Sequence, residues 1–151
     1  MTLRTMIIGA TIATLAACDS GNDETPSGDV SIVIQQALTG QTTTAGNFTL
    51  TGAITDDGAT TEELTFGAPL TNPQVPVTFR RSMTGKKGTL TLKGAATLTW
   101  VSQTTGTLAG SWEVESATGI YATGRGTFSG TANFGVTPPT ASLTYVGVIN
   151  R

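Results

Sequence analysis

From Val30 onward the chain alternates apolar and polar side chains with a period of two, the pattern of strands that bury one face. Val30, Ile32 and Ile34 share the first such face. In NFTLTGAIT, residues 47–55, Phe48, Leu50 and Ile54 face one way and Thr49, Thr51 and Thr55 the other. TDDGAT, residues 55–60, reads as a tight hairpin because Asp-Gly favours such turns, with Glu62–Phe66 as the return strand. Pro69, Pro73 and Pro76 then mark a loop, since proline cannot donate to a strand ladder. Val77, Phe79, Arg81 and Met83 line one face of a fourth strand that ends at TGKKG. A fifth begins at Thr89 with Leu90 and Leu92 inward, bends at Gly94 and resumes through Leu98 and Trp100. Leu108, Gly110, Trp112 and Val114 alternate with Ala109, Ser111, Glu113 and Glu115 in a sixth. TFSGTANF and, after Pro138 and Pro139, SLTYVGVI complete the series.

About eight strands joined by short connections predict an all-β domain in which a single antiparallel sheet closes into a small barrel. An open sheet would leave unpaired edges, and these threonine-rich strands carry few of the charges that normally guard an edge. Gly52, Gly94, Gly110 and Gly130 inside strands mark where coiled barrel strands bend. A two-sheet β-sandwich built from the same strands is the alternative.

Composition narrows the chemistry. The 151 residues include 19 glycines, one cysteine and no histidine. Histidine-based metal sites, Ser-His triads and Cys-His nucleophiles are therefore not expected, and phosphate-binding glycine loops are absent. No cofactor is called for and no metal ligands are assigned. From Val30 on, seven Lys and Arg stand against six Asp and Glu, with no basic stripe, so nucleic acid is not an expected partner.

The N-terminus carries a processing signal. Arg4 precedes an uncharged run, Met6 to Ala17, which is shorter than the roughly 20 residues that span a bilayer. Leu15-Ala16-Ala17 before Cys18 resembles the lipobox of bacterial lipoproteins, which implies cleavage before Cys18 and a lipid anchor on it. The alternative is an ordinary signal peptide cut near Ala17 that leaves Cys18 as a free thiol. Asp19 resembles an inner-membrane retention signal, so the choice between inner and outer membrane stays open. Residues 19–29, DSGNDETPSGD, lack large apolar groups and read as a solvated tether. The expected organisation is a signal peptide at 1–17, a lipid-anchored linker at 18–29 and a β-barrel domain at 30–151. The location that follows is the bacterial cell envelope, facing the periplasm or the cell surface.

The segment GTLTLKGAATLTWVSQTTGTLAGSWEVESATGIYATGRGTFSG, residues 88–130, resembles the corresponding stretch of the allene oxide cyclase and dirigent-type barrels, a calycin-like group, and their small bacterial relatives. Thr118-Gly119-Ile120-Tyr121-Ala122, with Gly124, Gly126 and Thr127, carries the likeness. Ala117 replaces the usual first glycine, and Arg125 stands where a small residue is more common. The resemblance covers about a third of the chain and implies a fold more than an activity. No catalytic residue carries over, because the cyclase cysteine has no counterpart in the barrel.

Phe79, Arg81, Trp100, Trp112 and Tyr121 are the candidate ligand-binding residues. Arg81 shares parity with Val77 and Phe79, so its guanidinium either reaches the barrel mouth and forks onto an anionic ligand or snorkels into water. Trp100, Trp112, Phe79 and Tyr121 either line a small cavity or form core, with Tyr121 packed across one barrel end. Glu113 and Glu115 oppose the parity of Trp112 and read as solvent-facing, and the Asp56-Asp57 and Glu62-Glu63 pairs read as turn chemistry. The function expected is non-catalytic binding of a small apolar or amphipathic molecule or of an envelope partner. Two competing readings are a cyclase-like or dirigent-like enzyme that acts by confinement and a structural, homo-oligomeric surface protein.

Overall fold

A computed structural model describes residues 28–151; the expected signal peptide and Cys18 lie outside the described residues. The chain forms eight strands: β1 (Gly28–Leu38), β2 (Thr43–Gly52), β3 (Asp56–Phe66), β4 (Gln74–Gly85), β5 (Thr89–Trp100), β6 (Thr105–Ala117), β7 (Gly124–Asn133) and β8 (Thr140–Ile149). Each strand pairs antiparallel with the next, and β8 pairs with β1 from Gly28 opposite Ile149 to Ala37 opposite Thr140. The sheet therefore closes, and the barrel rather than the sandwich is the architecture. Closure leaves no strand with unpaired backbone donors and acceptors along its length.

The alternation read from the sequence sets the wall. Val30, Ile32 and Ile34 of β1, Phe48 and Leu50 of β2, and Val77, Phe79, Arg81 and Met83 of β4 are all buried. Register carries this parity round the barrel, through Phe79 opposite Gly94 and Gly94 opposite Trp112 to Trp112 opposite Gly126. A bulge between Thr91 and Leu92 lets β6 slip one residue against β5 and keeps Val114 on the same level as Leu92.

Three sequence expectations need correction. Asp57 and Gly58 do not form a hairpin turn: the turn lies at residues 53–55 and β3 begins at Asp56, with Gly58 opposite Gly85. Ile54 in that turn is buried, so the apolar pattern runs through the connection. Pro76 belongs to β4 and not to the preceding loop. It lies just beyond Phe66–Val77, the last β3–β4 pair, so its missing N–H interrupts no β3–β4 bond. The expected linker also ends two residues early, since Gly28 and Asp29 pair with Ile149 and Val148.

The barrel has two distinct ends. The lower end gathers the described N-terminus, the C-terminus and the connections at 53–55, 86–88 and 118–123. The upper end carries the loops at 39–42, 67–73, 101–104 and 134–139. Apolar packing follows the same division. A large cluster from Val30 to Ile149 fills the lower and middle barrel, and a smaller one of Val75, Val77 and Leu98 packs with Leu64, Phe66, Trp100, Leu108 and Phe134 above.

Candidate functional site

Three side chains of the interior meet as a polar cluster although their strands are far apart in sequence. Gln36 extends the inward face of Ile32 and Ile34 on β1, Glu62 lies opposite Thr44 on β3, and Arg81 lies opposite Glu62 on β4. The Arg81 Nη2 donates to Glu62 Oε1 at 2.6 Å, with side chains 0% and 3% exposed. Its Nη1 donates to Gln36 Oε1 at 2.8 Å and to Thr60 Oγ1 at 3.2 Å. Glu62 Oε2 accepts from Gln36 Nε2 at 2.9 Å and from Thr44 Oγ1 at 3.3 Å. One buried charge of each sign, cross-braced by neutral partners, is the arrangement that lets a barrel interior hold ions at all.

Aromatic rings surround this cluster. The Arg81 guanidinium carbon lies 5.5 Å from the Tyr145 ring centroid. Tyr145 stacks on Phe128 at 4.5 Å, and Phe79 meets Phe128 edge-on at 5.3 Å. Burial pushes the Tyr145 phenol up to about 12, with Arg81 pulling the other way and Glu62 adding to the rise.

Above Phe79, Phe128 and Glu62 the barrel holds an apolar recess of about 70 Å³, open at the upper end. Its walls come from Leu64, Phe66, Val77, Ala96, Leu98 and Leu108 on one side and Ala132, Phe134, Pro139, Ala141 and Leu143 on the other. Gln36, Thr44, Glu62 and Thr140 form the polar part of its lining. The hydrogen-bonding groups of Gln36, Thr44 and Glu62 are already committed to one another and to Arg81, so the recess offers an entering molecule apolar contact and no free ion.

The lower end is closed. The Tyr121 hydroxyl donates to Asp56 Oδ2 at 2.5 Å. The same carboxylate accepts from the backbone N–H of Asp57, Lys86 and Lys87. Burial alone would raise the Asp56 carboxyl; the hydrogen bonds from Tyr121, Lys87, Asp57 and Lys86 outweigh it and hold the group below its ordinary value. Burial, followed by the bond to Asp56, raises the Tyr121 phenol.

No protein-family model, curated protein or solved structure matches the chain. The site is therefore read from its own geometry.

The five candidate residues do not converge on one place. Phe79 lines the recess, and Arg81 lies beneath it. Arg81 neither reaches the mouth nor snorkels into water; Glu62, Gln36 and Thr60 hold its terminal nitrogens, its Nε is buried without a partner, and its complete burial leaves no exposed fork for an anionic ligand. Trp100 packs on Phe134 at the upper rim, with centroids 4.8 Å apart. Trp112 is core, its indole N–H donating to the Thr127 carbonyl at 3.1 Å. Tyr121 is at the opposite end from the recess. Glu113 and Glu115 do face out, paired with Lys93 and Arg80.

Gln36, Thr44 and Thr60 are the site residues that sequence reasoning passed over, and Glu62, read there as turn chemistry, is instead a buried mid-strand partner of Arg81. Parity was the signal available: Glu62 is in step with Leu64 and Phe66, and Gln36 with Ile32 and Ile34. Only Glu63 of the adjacent acidic pair faces outward, opposite Arg80.

Proposed function

We propose that this protein is a bacterial envelope lipoprotein, anchored through Cys18, whose barrel is a non-catalytic binding module for the slender apolar part of a neutral or amphipathic molecule. The observation that carries the reading is the recess itself. It is an open, apolar part of the barrel interior, and its Gln36 and Glu62 groups are satisfied by one another and by Arg81. A molecule recognised there gains free energy by removing apolar surface from water, about 25 cal/mol per Å². With about 70 Å³ available, the recess admits the end of a chain or one small apolar group. Enclosing a whole small substrate takes a few hundred Å³, so confinement catalysis is the less favoured reading.

The test is titration of residues 28–151 with a neutral fluorescent probe, N-phenylnaphthylamine, followed by displacement with alcohols of increasing chain length. Saturable binding that strengthens with chain length and is lost in both Ala96→Leu and Ala141→Leu is the expected result. Binding unchanged in the two variants, which fill the recess without introducing polarity, would place the probe elsewhere and reject the reading.

A further inference from the structure

The loops of the upper end carry no charge, as the outward face of β1 and β8 through Ser31, Val33, Gln35, Ser142, Thr144 and Val146 also carries none. None of residues 39–42, 67–73, 101–104 and 134–139 is Asp, Glu, Lys or Arg. Three of the exposed large apolar side chains are carried on three of these loops, Leu70 at 41%, Val101 at 63% and Val136 at 42% exposure. Pro69, Pro73, Pro138 and Pro139 add apolar surface without a backbone donor. Charge is concentrated toward the other end, where Asp29, Asp57, Lys86, Lys87, Arg125 and Arg151 lie on strand ends and turns. Glu63 is the outward charge closest to the rim along β3, and Arg80 stands directly across from it.

A solvated loop normally carries polar and charged groups because exposed apolar surface costs free energy in water. Here the apolar tips encircle the opening of an apolar recess, so one continuous uncharged surface runs from the loops into the barrel. Just inside that rim, Trp100 packs at a tilt against Phe134 and its indole nitrogen is buried without a hydrogen-bond partner.

We propose that the upper rim docks on an uncharged lipid surface, with Leu70, Val101 and Val136 entering its interfacial region and the recess aligned with the acyl chains beneath. A lipid surface fits better than a folded protein partner. Separate small apolar tips suit insertion between headgroups, and the recess between them would stay unfilled against a flat protein face. Absence of charge fixes the lipid class as neutral or zwitterionic, since nothing on the rim attracts an anionic headgroup. The docking rests on the binding reading above only for what enters the recess; the rim contact stands without it.

The barrel closes entirely within residues 28–151, so the test uses that segment, free of the N-terminal apolar run. Co-sedimentation with phosphatidylcholine vesicles should show binding that is the same at low and high salt, with a blue shift of Trp100 emission that disappears in Trp100→Phe. Leu70→Ser, Val101→Ser and Val136→Ser should each weaken partitioning roughly threefold to tenfold, and the triple variant should not bind. The triple variant should still bind N-phenylnaphthylamine, because none of the three residues lines the recess. Vesicle binding without probe binding would refute the recess and leave the rim proposal intact. The rim proposal is overturned by a wild-type segment that stays in solution, by equal partitioning of the triple variant, by binding that requires anionic lipid and falls with salt, or by self-association through the rim in place of vesicle binding.

Discussion

Replacing Glu62 by leucine removes the anion paired with a guanidinium that is fully buried. The consequence can be worked from the geometry. With charge centres about 4 Å apart, the pair gains about 4 kcal/mol at an effective dielectric constant near 20. Taking each ion out of water costs several kcal/mol, so the intact pair contributes a net close to zero. The single variant keeps the desolvation cost of Arg81 and loses the attraction, leaving only Gln36 and Thr60 as partners for its Nη1. A loss of about 3–5 kcal/mol is expected, a large share of the roughly 5–15 kcal/mol that holds a domain folded. Adding Arg81→Met removes the stranded charge but orphans Gln36 and the buried Thr44 and Thr60 hydroxyls, at about 1–3 kcal/mol for each group left unpaired. Adding Gln36→Leu as well removes the largest of these and should recover part of the lost stability. Urea unfolding of residues 28–151, followed through the buried Trp112, measures all three variants, and Glu62→Gln serves as a milder single change if the leucine variant does not fold. A loss under about 1 kcal/mol for Glu62→Leu, or a triple variant no more stable than the single one, would refute the claim that the interior pays its polar cost through mutual pairing.

Two further outcomes follow from the packing. Because Asp56 is held below its ordinary value of 3.8, its contribution to stability is complete above that pH and is lost as pH falls through the lower native value. Asp56→Asn should therefore be less stable at neutral pH and show a flatter acid limb in pH-dependent unfolding; identical limbs would remove Asp56 from the account. Gly94→Ala would set a Cβ 2.1 Å from the Ser111 carbonyl oxygen and 2.7 Å from the Phe79 ring, and should cost about 1–3 kcal/mol in equilibrium unfolding.

The alternation of Ile and Thr, of Leu and Thr, made the strands legible, because a barrel wall imposes a period of two on almost every residue. Arg81 was legible as an inward residue for the same reason. Its partners were not, since the separations from Gln36 to Glu62 and from Glu62 to Arg81 depend on register, and register depends on where each turn falls. The Asp-Gly at 57–58 shows the difficulty: its local preference is a hairpin, but Ile54 is buried one strand end earlier and draws the turn to 53–55. A shift of that turn would have moved Glu62 away from Thr44 and Gln36. Adjacent carboxylates such as Glu62 and Glu63 look alike as sequence and differ completely as structure, one in the interior and one outside.

The position of the recess has its own physical cause, and it lies in how small residues are paired across strands. Where an inward glycine stands beside a large side chain, the space is taken: the Phe79 ring fills the place of a Cβ at Gly94, and the Trp112 ring does so at Gly147. Those pairings lie in the lower and middle barrel and leave it solid. Higher up, small residues face small residues, with Ala96 opposite Gly110 and Ala132 opposite Ala141, although Leu98 takes the place of a Cβ at Gly106. No neighbouring side chain is long enough to reach across all of them, so the lining of Ala96, Ala132 and Ala141 bounds open space. Close packing is the rule for protein interiors, and an unfilled run of alanine and glycine forfeits contacts that a single leucine would restore. If the recess had no occupant, Ala96→Leu or Ala141→Leu would do no more than fill a void, and stability should rise by about 1–2 kcal/mol with nothing lost. A chain that keeps alanine there is more readily understood as leaving room for something to enter.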